Sequence, residues 1–350
     1  MIKQARAACS RRVSTMVTEQ CFVEAIVLRI PVTIIALIGV SQLIPCPAIG
    51  QNYPSKTVRV VVPFAPGGSA DILGRSVSQK IGEALGQSFV IDNRGGGGGI
   101  IGTEMVAKAP PDGYTILFTT NGPVTVSPSL QQKIGYDTRN DLMPVTIVAS
   151  LPSLLVMHPS VPVNSVKDVV ALAKRQPGQV TYASGGPGAS NHLAAELFNY
   201  LAKINLLHVP YKGGGPAAIA VLSGECALLF GTMPSTLGHV HAKRLKALAV
   251  TSEKRSPAAP MVPTIAESGV PGYEMTSWVG ILLPAGTAAN VGRTLHRETE
   301  KAVQSTSVRD RLANEGYEIV MNTPEQMAQR MQVETDKWAK IIKAARIRAD

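Results

Sequence analysis

The sequence predicts an α/β fold in which strands lead into helices through short, glycine-rich loops. β-branched apolar runs such as Val58–Val62 alternate with segments whose apolar residues recur every four positions, the spacing of one helix face. Glycine-rich stretches at 67–68, 95–99, 185–188 and 213–215 supply the loops. No sequence period repeats along the chain, so a repeat protein is not predicted.

From residue 58, the chain is predicted to form a strand, a tight loop and a helix. The run at 58–62 ends in Pro63, a glycine-bearing turn follows, and Leu73, Val77, Ile81 and Leu85 then mark one helix face. Further strands are predicted at 89–92, 114–120 and 147–158. The last of these is a long apolar run that could cross between two lobes.

The second half of the chain continues the alternation of strands and helices. A helix is predicted at 166–175, and Leu193, Leu197 and Leu201 mark the face of another. Pro216 near its start and Gly224 past its end delimit a third helix. Strands are predicted at 180–183, 206–211, 227–230, 245–251 and 279–283, and the last seventy residues are predicted to be mostly helical.

The first fifty residues have the order of a secretory signal. Basic residues from Lys3 to Arg12 precede an apolar stretch at 30–44, and the small residues Ala48 and Gly50 follow. The apolar stretch is shorter than the ~20 residues of a spanning helix. We therefore predict that residues 1–50 are a cleaved signal peptide, with an uncleaved membrane anchor as the alternative.

The length of the remaining chain, about 300 residues, suits one large or two medium domains. Residues 1–50 hold five Lys/Arg and two Asp/Glu, so the net charge of +10 falls to +7 without them. Cys9, Cys21 and Cys46 lie in the leader, and Cys226 alone cannot form an intramolecular disulfide. The Lys and Arg residues are scattered, which favours a solvated basic surface over a nucleic-acid interface.

The junction at 60–81 is predicted to hold an anion. Free N–H groups and the positive end of a helix dipole face whatever lies beyond the strand. A nucleotide phosphate loop is not predicted, because five residues separate Gly68 from Gly74 and Arg75 replaces the required lysine. The dinucleotide pattern lacks its third glycine. A plain β–α turn remains the alternative interpretation.

The sequence predicts neither catalytic residues nor a metal site. Ser190 lacks the glycine two positions later that a nucleophile elbow needs, and His192, two residues on, points to another side of the helix. Ser190 is instead predicted to be a helix N-cap. The six histidines have no accompanying acidic cluster. Arg94, beside the run at 95–99, is interpreted as a structural ion-pair residue.

A series of short motifs runs in order along the chain after the leader. The first reads Pro-Phe-Ala-Pro-Gly-Gly-Ser-Ala-Asp, and another contains Asp-Asn-Arg followed by five glycines. The segments are 63–71, 90–102, 111–117, 127–130, 136–137, 182–193, 208–213 and 271–274. Each is weak alone, but together they cover essentially the whole chain after the leader. The series resembles the Bug or TctC family, the periplasmic solute-binding proteins associated with tripartite tricarboxylate transporters.

The resemblance implies a type II periplasmic-binding-protein fold, with two α/β lobes joined by crossing strands around a ligand cleft. Residues 51–149 plus 275–350 would form one lobe and residues 150–274 the other. The protein would be a periplasmic monomer that presents a small carboxylate to the permease subunits of a tripartite tricarboxylate transporter. Dicarboxylates, tricarboxylates, acidic amino acids and aromatic acids are the ligands implied. No cofactor, metal or nucleic acid is expected. A ligand sensor for a signalling partner and an exported enzyme remain alternatives.

The resemblance also implies which residues bind the ligand, through backbone amides of facing loops. Asp71 could receive a ligand amino group or cap its own helix, and both readings stay open. The family often has acidic or polar residues where Gly231 and Thr232 stand, so specificity is not carried over there. The implied residues are Phe64, Gly67, Gly68, Ser69, Ala70 and Asp71, then Asn121, and Ser184, Gly188, Ala189, Ser190 and Asn191, with the region near Thr232 as a weaker candidate.

Overall fold

A computed structural model describes residues 53–130 and 134–348, which belong to one compact unit. The signal peptide predicted for residues 1–50 lies outside the described residues. The strands are β1 (Val58–Val62), β2 (Phe89–Asn93), β3 (Thr115–Thr120), β4 (Leu142–Met157), β5 (Thr181–Ser184), β6 (Leu207–Pro210), β7 (Leu228–Thr232), β8 (Lys246–Val250), β9 (Thr276–Pro284) and β10 (Glu318–Ile319).

The helices mostly follow strands, as the sequence predicts. A 3-10 turn (Gly97–Gly99) precedes the second helix, and a π-helical turn (Gly122–Val126) follows β3. The helices are α1 (Ser69–Leu85), α2 (Ile100–Ala107), α3 (Ser127–Leu130), α4 (Val166–Arg175), α5 (Ser190–Ala202), α6 (Gly214–Leu222), α7 (Met233–His241), α8 (Ala289–Gln304), α9 (Thr306–Asn314) and α10 (Pro324–Ala345).

Strand β4 takes part in both halves of the molecule. The strand order is β2-β1-β3-β9-β4-β7-β5-β6, with β8 and β10 also paired to β4. Up to Pro152, β4 pairs antiparallel with β9, and from Ser153 it pairs with β7, with β8 along its other edge. The predicted α/β fold of two lobes joined by crossing strands is therefore confirmed. The strand begins at Leu142, earlier than predicted, because its first residues pair with β9.

Helices cover both faces of each sheet. Leu73 of α1 and Leu295 of α8 share a core with Phe118 on one face of the first sheet, and Trp278 packs with Met327 of α10 on the other. The second sheet has α4 and α5 on one face and α6 and α7 on the other. Burial on both faces explains why the strands read as nearly continuous apolar runs.

The C-terminal helix α10 contacts the cores of both sheets. Met327 and Met331 lie in the first lobe's core, whereas Trp338 and Ile342 pack in the cluster that holds Phe198. The lobe boundaries drawn from the sequence stay a prediction. Within the described residues, no helix is long and apolar enough to span a membrane.

Candidate ligand-binding site

A small cavity of about 40 Å³ lies where loops of the two lobes meet. Its walls come from the loop before α1 and the start of that helix, from the loop before α5, and from the ends of β3 and β7. No Lys or Arg of the described residues lines it. The lining residues are Phe64, Gly68, Ser69, Ala70, Asp71, Thr120, Gly185, Ala189, Ser190, Asn191, Gly214 and Thr232.

Four helix N-termini reach this cavity. Helix α1 begins at Ser69 and α5 at Ser190, while Gly214 is the first residue of α6 and Thr232 is the N-cap of α7. The first N–H groups of an α-helix have no partner within the helix, and the helix dipole places roughly half a positive charge at that end. These helix ends therefore favour an anion in the cavity although no cationic side chain lines it.

In the first lobe, the amides that open α1 are unpartnered. The first helical hydrogen bond runs from Ile72 N to Gly68 O at 3.0 Å. The N–H groups of Ser69, Ala70 and Asp71 have no hydrogen-bond partner among the described residues. These three residues line the cavity, so their donors are available to a ligand oxygen.

In the second lobe, side chains bind most N–H groups of the loop before α5. The Gly185 N–H donates to Asn191 Oδ1 at 2.9 Å and the Gly186 N–H donates to Ser184 Oγ at 3.0 Å. The Gly188 N–H donates to His192 Nδ1 at 3.2 Å. Ser184 and Gly188, predicted as ligand contacts, therefore lie behind the cavity wall and shape the loop.

At the start of α5, the donors that remain belong to its first two residues. The N–H groups of Ser190 and Asn191 have no partner within the described part of the chain. Asn191 Oδ1 also accepts from the N–H of His192 at 3.1 Å, which orients the amide. Asn191 itself lines the cavity, and its Nδ2 donates to no other group of the described residues.

His192 is a buried, neutral member of an aromatic stack. Burial, with the charge of the neighbouring His208 as a second cause, lowers the pKa of His192 to about 3. The His192 and His208 rings lie 4.4 Å apart, and Tyr182 stacks on His208 at 4.9 Å. A neutral ring leaves Nδ1 free to accept the Gly188 N–H, so the histidine positions the loop.

The Asp71 carboxylate is fully engaged by the protein. Gly67 N donates to Oδ2 at 3.0 Å, Asn93 Nδ2 donates to Oδ1 at 3.0 Å, and Arg75 forms an ion pair with Oδ1 at 2.8 Å. Burial raises the pKa of Asp71, but the hydrogen bonds from Arg75, Gly67 and Asn93 more than offset it, so the pKa is lowered. The structure favours the reading in which Asp71 fixes the loop and the start of α1.

A cluster of three side chains ties Ser190 to the first lobe. Ser190 Oγ lies 2.9 Å from Asn121 Oδ1, and Ser277 Oγ lies 2.9 Å from the same oxygen and 3.0 Å from Ser190 Oγ. Asn121 Nδ2 faces Glu334 Oε2 at 3.4 Å. The predicted N-cap role of Ser190 is wrong, because Ala189 is the N-cap and Ser190 begins the helix.

The cavity contains many of the residues expected from the sequence. Gly67, Asn121, Ser184 and Gly188 lie outside its lining. Thr120, Gly185 and Gly214 were not predicted, although Thr120 ends a strand and Gly214 belongs to a glycine run, the two signals that could have found them. The expected residues that line it are Phe64, Gly68, Ser69, Ala70, Asp71, Ala189, Ser190 and Asn191, together with Thr232 from the weaker candidate region.

Backbone contacts close the cleft around the cavity. Ala65 N donates to Lys212 O at 2.8 Å across the two lobes. A Cβ on Gly215 would overlap the carbonyl oxygen of Pro66, and one on Gly122 would overlap that of Gly188. The glycine-rich loops thus let the two backbones approach closely.

A second cavity and the side chains of the metal-binding types contribute no candidate site in the part of the chain that the structure describes. A larger cavity of about 630 Å³ lies between the start of β4, residues 134–139 and one side of α10, away from the four helix N-termini. No group of three or more His, Cys, Asp or Glu that could hold a metal occurs in the described residues.

Arg94 pairs with Asp92 at 2.8 Å, which confirms its interpretation as a structural ion-pair residue.

The fold and cleft define a two-lobed binding protein of the periplasmic class. A solved structure of R. palustris Rpa4515 with adipate superimposes with a TM-score of 0.82 at 36% identity, covering 85% of this chain and 99% of the other. MatC from Rhodopseudomonas palustris with bound malate gives a TM-score of 0.80 at 29% identity, covering 83% and 100%.

Sequence comparison identifies the family. The profile described as the tripartite tricarboxylate transporter family receptor, TctC, matches residues 73–347. A UPF0065 protein in the tcbD-tcbE intergenic region of Pseudomonas sp. strain P51 is 39% identical over 85% of this chain and 89% of its own. BugT of Bordetella pertussis is 35% identical over 89% and 96%. The chain belongs to the TctC family, which confirms the resemblance found in the sequence.

Proposed function

We propose that this protein captures a small dicarboxylate between its lobes in the periplasm and presents it, unchanged, to the membrane subunits of a tripartite tricarboxylate transporter. One observation carries the proposal. Unpartnered N–H groups from the starts of α1 and α5 face one cavity from opposite lobes. Export through the predicted signal peptide, action as a monomer and the lobe boundaries belong to the same proposal.

The donor set suits carboxylates. Ser69, Ala70 and Asp71 offer N–H groups on one side, while Ser190 and Asn191 offer them on the other. Hydrogen bonds to an ionised oxygen are about twice as strong as neutral ones. Arg75 compensates the charge of Asp71, so the carboxylate of the protein does not oppose that of the ligand. The adipate and malate named in the relatives' structures support a ligand with two carboxylates.

Ligand entry requires the lobes to separate. A cavity of about 40 Å³ has room for a few water molecules but not for a four- to six-carbon diacid. Opening breaks the hydrogen bond from Ala65 N to Lys212 O and exposes both helix N-termini. Closure around the diacid then engages both sets of amides, which couples binding to a hinge motion of the two lobes.

A proline substitution tests the backbone contact directly. Gly68 has φ −86° and ψ 169°, a conformation compatible with a following proline, and proline is favoured at the first helical position. S69P therefore removes one N–H donor and keeps the helix. We expect calorimetry with adipate or malate to show affinity about tenfold or more below that of S69A, which lacks only the hydroxyl.

A matched control separates binding from helix geometry. Ala289 begins α8 after Ala288 at φ −58° and ψ 133°, and it lies outside the cavity lining. A289P should bind the diacid like the wild type. Equal affinity of S69P and S69A would overturn the proposed contact. If mass spectrometry detected a converted ligand after incubation with the protein, the proposal that the ligand is presented unchanged would be wrong.

The transport step has its own test. Host cells that lack this protein should lose uptake of the radiolabelled diacid that calorimetry identifies. Wild type and A289P should restore uptake, whereas S69P should not. Undiminished uptake without the protein, together with a lost transcriptional response to the diacid, would instead favour a sensor.

A further inference from the structure

Thr120 brings an unsatisfied hydroxyl to the cavity. It is the last residue of β3, lines the cavity and is 6% exposed. Its Oγ1 is buried and has no hydrogen-bond partner among the described residues. A buried hydroxyl without a partner is costly, so such a group calls for an explanation.

The polar groups around Thr120 are already engaged. Asn121 Oδ1 receives the hydroxyls of Ser190 and Ser277, and Thr232 Oγ1 lies 3.0 Å from Ser235 Oγ. Asn191 Oδ1 accepts two backbone N–H groups. None of these groups bonds to Thr120, so only a molecule bound in the cavity can supply a partner for its hydroxyl.

We propose that Thr120 is a ligand-binding residue whose hydroxyl donates a hydrogen bond to a carboxylate oxygen of the bound diacid. This inference rests on the proposed function. The cavity gathers backbone donors from both lobes, so the ligand part held there is anionic, and an anionic oxygen accepts a hydroxyl proton. The ligand thereby completes a polar group that the closed protein leaves unsatisfied.

Thr120→Val tests the hydroxyl at nearly constant shape. Valine is favoured in strands and removes the unsatisfied oxygen, so the melting temperature of the ligand-free protein should not fall. We expect the affinity for both adipate and malate to fall about five- to tenfold by calorimetry. T120S retains a hydroxyl and should retain most of the affinity.

Thr299 supplies a matched control. It lies in α8, is fully buried, and its Oγ1 also lacks a partner in the described structure, but it does not line the cavity. T299V should leave both affinities unchanged. Unchanged binding by T120V would overturn the inference, and so would a loss confined to malate, which would assign the contact to the malate hydroxyl. A wild type that binds no diacid would instead refute the proposed function.

Discussion

At the residue scale, polar side chains near the cavity serve mainly to hold loops in shape. Asp71 binds Gly67 N, Asn93 and Arg75, and His192 accepts the N–H of Gly188. Both side chains bind backbone groups of the loops that precede α1 and α5. The ligand is therefore left to the amides that these side chains do not use.

Replacing Asp71 with asparagine should destabilise the fold in a pH-dependent way. The substitution removes the charge-assisted bonds, and we expect the free energy of unfolding at pH 7 to fall by about 1–3 kcal/mol. Because the folded pKa of Asp71 is lowered, its contribution is present above the unfolded pKa and is lost as the pH falls through the folded one. Urea unfolding at pH 7 and at pH 3 should thus give a smaller difference at pH 3. D310N, at an exposed ion pair, should cost little at either pH.

His192 should make stability rise with pH in a separate window. Its folded pKa of about 3 lies below the unfolded value near 6.5, so between these values the unfolded chain binds the extra proton. The wild type should lose up to about 1.4 kcal/mol per pH unit between pH 6 and pH 4.5 through this group. H192N, whose amide oxygen can replace Nδ1 as acceptor, should flatten that slope. An equal slope in H192N, or an equal flattening in H241N at an exposed helix end, would contradict the assignment.

At the scale of elements, four helix starts and the glycine loops before them build the site. Glycines in these loops and helix starts let the backbones of the two lobes meet, as between Gly215 of α6 and Pro66, so that helix N-termini on different lobes face one cavity. The elements supply the charge through their dipoles, and the close backbone approach supplies the enclosure.

A methyl group on Gly215 should hinder closure without weakening its helix. Alanine is the better helix former, so the ligand-free melting temperature should not fall. Its Cβ would overlap the carbonyl oxygen of Pro66, and we expect diacid affinity to fall about tenfold or more. G238A, on a helix position with open space around the new Cβ, should bind normally. Normal binding by G215A would show that the start of α6 and the loop at Pro66 do not close on the ligand.

The elements and site residues that the sequence predicts are those marked by a local sequence pattern. Repeating apolar positions located β1 and α4 to the residue, because burial on a sheet face or a helix stripe leaves a periodic pattern. Ser69, Ala70, Asp71 and Asn191 were found because a family motif marks their helix starts. Thr120 and Gly214 were missed because they join the cavity only when separate strand ends meet in space. Equally, no sequence pattern shows that His192 Nδ1 accepts a hydrogen bond from the N–H of Gly188.

At the scale of the whole molecule, β4 links the two sheets while α10 packs on both cores. This arrangement gives two lobes that share few elements and meet at the cleft. Because the donors lie on opposite lobes, only the closed form can engage a ligand from both sides. Membership of the TctC family and the diacids named for its solved relatives agree with such a mechanism.

The most direct test of the central claim is a crystal structure of the protein with adipate or malate, whichever binds more tightly. The account predicts carboxylate oxygens about 3 Å from the N atoms of residues 69–71 and, across the cleft, from those of Ser190 and Asn191. It also predicts that no Lys or Arg side chain contacts the ligand. A diacid held by a lysine or arginine, or bound in the cavity of about 630 Å³ beside α10, would contradict it.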